Sequence, residues 1–73
     1  MSAALVALES EPLTPREHQM LQHAANGYSS RETARVMWLT PRTVKFHRSN
    51  AIRKMDARNI TEAVARAIRE GLL

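Results

Sequence analysis

A chain of 73 residues with a formal net charge of +4 and no cysteine has room for one core and no deep cleft, and at this size helix capping or association must add to its stability. The lack of thiols removes disulfide frameworks and thiolate metal sites together, so nothing requires an oxidising compartment and a cytoplasmic location is expected. The apolar run from Ala3 to Leu8 is too short to cross a bilayer and has no basic residue before it, so neither an anchor nor a signal peptide is expected and no membrane is a partner. The charge is concentrated in one place: Arg42, Lys45, Arg48, Arg53, Lys54 and Arg58 face only Asp56 between residues 40 and 58, while the flanking regions nearly balance. Such a segment implies a surface that meets a polyanion, nucleic acid being the commonest, although clustering alone favours a solvated helix face as often.

In chain order, residues 1–12 read as an N-terminal arm or linker, and residues 13–73 as the folded domain. Thr14-Pro15-Arg16-Glu17 combines a Thr N-cap, Pro at the first helical position and Glu at the third, which is a capping box. That helix carries Met20, Leu21, Ala24 and Ala25 on one stripe and stops at Gly27. A second capping box, Ser29-Ser30-Arg31-Glu32, opens a short helix with Thr33, Ala34, Val36 and Met37 as its apolar members. The period breaks at Met37-Trp38-Leu39, and Thr40-Pro41 starts a third helix expected to run to about Met55. Asn59-Ile60-Thr61-Glu62 caps a fourth, with Ala63, Val64, Ala67 and Ile68, ending at Gly71. The pattern is all-α, a four-helix domain in which helix, short turn and helix form a helix-turn-helix.

On a helical wheel, Arg42, Phe46, Ser49 and Arg53 share a face with Lys45 beside them, opposite Val44, Ala51 and Met55, while Thr43, Asn50 and Lys54 flank. Cations can hold phosphates or guanine acceptors, and an apolar group can touch a thymine methyl, so this face suits a major groove. A lone aromatic at the centre of a charged outward face favours binding over simple solvation.

Leu13-Thr14-Pro15-Arg16-Glu17, Gly27-Tyr28-Ser29, Glu32-Thr33-Ala34, Leu39 through His47, and Arg58 through Val64 resemble the LuxR/GerE-type DNA-binding domain over about residues 13–73. The resemblance implies a transcription regulator that binds double-stranded DNA sequence-selectively as a homodimer through its last helix. It implies Lys45, Phe46 and Ser49 toward bases, and Thr40, Arg42, Thr43 and Lys54 toward the backbone; Arg53 joins the DNA-binding set from the wheel. Ala63 and Ala67, with Ile60, are the expected dimer contacts, and RNA polymerase or a larger regulator are further candidate partners. Three residues depart from the family pattern: Thr33 where Ile or Val is usual, Arg48 where Val or Leu is usual, and Ile60 where the residue is often polar. Arg48 lies on the inward side and either snorkels beside the fourth helix or reaches a carboxylate or phosphate.

No catalytic residue and no cofactor is expected. His18 and His23 are five residues apart, which is wrong for a pair of ligands on one helical face, so no metal is expected either. His47 reads as a packed residue rather than a base, and Trp38 as a partial cover for the core or, exposed, a partner contact. Two rivals remain. A module that pairs through its last helix and titrates a larger regulator fits the lack of a sensory or receiver segment, but not the intact basic positions. A sigma-factor-like promoter-binding region lacks the run from Thr43 to His47.

Overall fold

The computed structural model describes residues 11–73; the arm expected over 1–12 lies outside the described residues except for its last two. Those residues form four α-helices and no strand: α1 (Pro15–Ala25), α2 (Ser30–Met37), α3 (Pro41–Lys54) and α4 (Ile60–Arg69). None of these helices is long and apolar enough to cross a membrane.

Each helix begins where its local chemistry demands. The Thr14 and Ser29 hydroxyls accept from the N–H groups of Glu17 and Glu32, whose carboxylates reach back to the cap N–H groups, so both capping boxes close. Thr40 and Asn59 accept from Thr43 N–H and Glu62 N–H, at 3.1 and 2.8 Å. Such caps satisfy amides that would otherwise have no partner, each worth about 1 kcal/mol. Gly27 follows α1 with φ of +85°, which glycine adopts without steric cost.

Two apolar clusters hold the helices together. Leu21, Ala51, Met55, Ala63 and Ala67 join α1, α3 and α4, while Met20, Ala34 and Val44 join α1, α2 and α3 with Met37 and Leu39 against them. Adjacent residues Met20 and Leu21 therefore place α1 in both clusters, and α3 enters one with Val44 and the other with Ala51. The ring of His18 donates to the Leu72 carbonyl at 2.7 Å and so ties the end of the chain to α1.

Three sequence expectations change here. Val36 is half exposed rather than a core member, because α2 turns Thr33 and Ala34 inward instead. Trp38 does not cover the core: it is the C-cap of α2 in the left-handed conformation, φ 59° and ψ 40°, with 93% of its surface exposed. Leu39 packs against the Met20 cluster in its place. Arg48 does not snorkel beside α4, and it has no carboxylate partner among the described residues; its guanidinium donates to the Tyr28 carbonyl at 2.8 Å, across to the α1–α2 turn. Burial holds its pKa below the ordinary arginine value, and its Nε has no partner among the described residues.

Candidate nucleic-acid interface

The packing of α3 decides which of its side chains can meet a ligand. Val44 and Ala51 are fully buried and Met55 nearly so, which turns Arg42, Lys45, Phe46, Ser49 and Arg53 to the exterior. Phe46 keeps 63% of its surface exposed and meets the ring of His47 edge-on at 5.5 Å between centroids. Among the described residues, Arg42 and Lys45 have no carboxylate partner. An exposed aromatic flanked by two free cations and a serine hydroxyl offers donors, positive charge and an apolar contact on a single helix face.

At the start of α3 the Thr40 hydroxyl accepts from Thr43 N–H and donates to Thr43 Oγ1 at 2.9 Å. Each hydroxyl carries one proton. With that of Thr40 spent inside the pair, the half-buried Thr43 hydroxyl keeps its own proton for an acceptor outside the helix. Pro41 stands at the first position of α3, whose start carries the positive end of the backbone dipole.

The two cations at the far end of α3 behave differently. Arg53 is 60% exposed and pairs with the half-exposed Glu11 at 3.1 Å. An exposed pair of this kind is worth about 0–1 kcal/mol, so Arg53 can exchange it for a phosphate. Lys54 cannot do so. Its side chain is 9% exposed, and its Nζ lies 2.8 Å from Oε1 of Glu17, itself 5% exposed, and 3.2 Å from the Pro12 carbonyl. Burial alone would raise the Glu17 carboxyl, but the Lys54 hydrogen bond and charge, with the Thr14 N–H, hold it below its ordinary value. Lys54 thus joins α3 to α1, its ammonium engaged by Glu17 and the Pro12 carbonyl.

The residues expected at a dimer contact also pack within the protomer. Ala63 and Ala67 are fully buried inside the protomer against α1 and α3, because close helix approach is used within one chain. Ile60 is half-buried against the same cluster. The apolar group that α4 leaves to the exterior is Ile68, 55% exposed, with the half-buried Val64 and Ala65 near it on the helix.

Sequence reasoning missed the Glu17–Lys54 pair, the Arg48–Tyr28 bond and the Arg58–Glu62 pair, in which Glu62 accepts from Arg58 Nε and Nη2 at 3.1 and 2.9 Å. Only the last carried a signal, a basic and an acidic residue four apart.

The family model for GerE, bacterial regulatory proteins of the luxR family, matches residues 11–67. The chain is 51% identical over 61 residues to the HTH-type quorum sensing-dependent transcriptional regulator RpaR of Rhodopseudomonas palustris, covering 84% of this chain and 25% of that protein. It is 35% identical over 68 residues to the transcriptional regulatory protein FixJ of Bradyrhizobium diazoefficiens, covering 93% and 33%. Against the response regulator protein VraR of Staphylococcus aureus it is 40% identical over 63 residues, covering 86% and 30%. The chain therefore spans a quarter to a third of the length of these relatives.

Proposed function

The chain belongs to the luxR family of bacterial regulatory proteins, and from that membership we propose that it binds double-stranded DNA sequence-selectively in the cytoplasm and regulates transcription, with α3 in the major groove. The observation that carries this reading is the outward face of α3, where Arg42, Lys45, Phe46 and Ser49 stand exposed with both cations unpaired among the described residues. A helix in a major groove reads bases with its outward side chains and holds phosphates with those at its rim. Lys45 has the reach for guanine O6 and N7, Phe46 suits a thymine methyl, and the Ser49 hydroxyl can donate to or accept from a base edge. Arg42, Thr40, Thr43 and Arg53 hold the backbone. The relatives' names support the regulatory role, since they are called transcriptional or response regulators.

The domain acts as a homodimer, paired through the outer side of α4 around Ile68, on half-sites about one helical turn apart. A module that only titrated a larger regulator through α4 would have no use for the bare face of α3.

Selection of duplexes from a random pool, followed by binding titrations at several salt concentrations, tests this. Enriched inverted repeats and an affinity that falls steeply with salt are expected. Lys45→Ala should cost about 1–3 kcal/mol on the selected site and much less on unrelated DNA. No enrichment, or equal loss on both duplexes, would remove base reading by Lys45.

A further inference from the structure

Trp38 is the one tryptophan of the chain, and it occupies an unfavourable place. It closes α2 in the left-handed region at φ 59°, a conformation that glycine adopts freely and that a bulky side chain adopts only against steric strain. The strain is not repaid by burial, because 93% of the residue is exposed and neither aromatic pair among the described residues includes it. The helix end itself needs nothing from the indole. The N–H groups of Trp38 and Leu39 both reach the Ala34 carbonyl, and Leu39 supplies the apolar contact to the core. A glycine would do all of this with less strain.

The position of the indole indicates what it meets. Trp38 lies two residues before Thr40, the N-cap of α3, so the two Cα atoms are within about 7 Å of each other. Between residues 33 and 45 the chain carries Arg35, Arg42 and Lys45 and no acidic residue. The turn itself is uncharged and leads directly into the helix start, where Thr40, Arg42 and Thr43 stand. When the start of such a helix enters a groove, the turn before it comes against the sugar–phosphate wall. An indole fits that wall, with an apolar face for deoxyribose and an Nε1–H that can only donate, for phosphate oxygens that can only accept.

We propose that Trp38 is a DNA backbone contact that packs on the sugar–phosphate strand at the rim of the groove entered by α3, and that its strained conformation is retained for this contact. The inference rests on the reading of α3 as the groove helix. It adds affinity without base preference and without counterion release, since no cation is involved.

The single indole is its own probe. Titrating the full chain with the selected duplex should quench or blue-shift its emission and reduce its quenching by acrylamide. Trp38→Gly, and Trp38→Asn as a second residue that tolerates this conformation, should melt no lower than the parent. Both should bind the selected and unrelated duplexes about fivefold or more weakly, the loss expected of a base or sugar stack, with an unchanged salt slope. Overturning results are unchanged affinity in both variants, or unchanged emission and acrylamide access at saturating DNA; either would turn the indole toward a protein partner. If the parent chain binds no duplex, the groove reading falls and this inference with it. If the parent binds and the variants match it, only the Trp38 contact falls.

Discussion

Replacing Lys54 by alanine separates a structural cation from a DNA-binding one. The Lys54 ammonium and the Glu17 carboxylate are 2.8 Å apart with side chains 9% and 5% exposed, and removal of the lysine leaves the carboxylate buried with Thr14 as its remaining partner. Breaking a buried pair from one side costs about 3–5 kcal/mol. Lys54 also lies 3.9 Å from the half-exposed Glu11, at the edge of the packed region where water can reach, so the low end, about 3 kcal/mol, applies. A domain of this length has about 4–10 kcal/mol in all, so much of its stability is at stake. At about 4–8 °C per kcal/mol, Lys54→Ala should lower Tm by about 12–24 °C, read by far-UV circular dichroism. The double variant Glu17→Gln with Lys54→Met should recover most of this, because the side-chain amide put in place of the Glu17 carboxylate can still accept from the Thr14 N–H and no charge is left buried. The effect also depends on pH. The folded pKa of Glu17 lies below its ordinary value of 4.5, so the pair's contribution is complete above 4.5 and is lost as pH falls through the depressed folded value. The gap between parent and Lys54→Ala should therefore narrow in acid. A variant that melts within about 1 kcal/mol of the parent yet binds all DNA more weakly would refute this reasoning and return Lys54 to the phosphate contacts.

Thr33→Val should raise Tm by about 4–8 °C, because the Thr33 hydroxyl is buried with no partner among the described residues and its removal by an isosteric group relieves about 1 kcal/mol; an unchanged or lower Tm in a thermal melt would show that the hydroxyl is satisfied. Ile68→Glu should leave the protomer's unfolding free energy within about 0.5 kcal/mol, since the side chain is half exposed, while weakening binding to a duplex with two half-sites far more than to one with a single half-site. Equal affinities for parent and variant on both duplexes would take the outer side of α4 out of the dimer. Ala67→Glu, by contrast, should unfold the protomer, which a melt reads directly, because it places a charge in the closed core.

What the sequence determined by itself is local. Thr14, Ser29, Thr40 and Asn59 bond to residues three positions ahead, so the starts of all four helices were legible from short patterns, and the wheel separated the Val44–Ala51–Met55 side of α3 from the Arg42–Phe46–Ser49 side. The bare face expected on α3 followed from the same rule, since a helix that buries one stripe must expose the opposite one. The tertiary structure decided whatever depended on a second element. A wheel shows that Ala63 and Ala67 share a side of α4 but not whether that side meets a partner or its own chain; α1 and α3 fill it. It places Lys54 on the flank of α3, but Glu17 and Pro12, 37 and 42 residues away, remove it from solvent. Arg48 found a carbonyl 20 residues away rather than solvent beside α4. Trp38 turned outward because α2 ends in a left-handed turn that hands the core position to Leu39. Periodicity fixes a side chain's direction about its own helix axis, whereas burial and pairing depend on which helix stands in that direction, and only packing sets that.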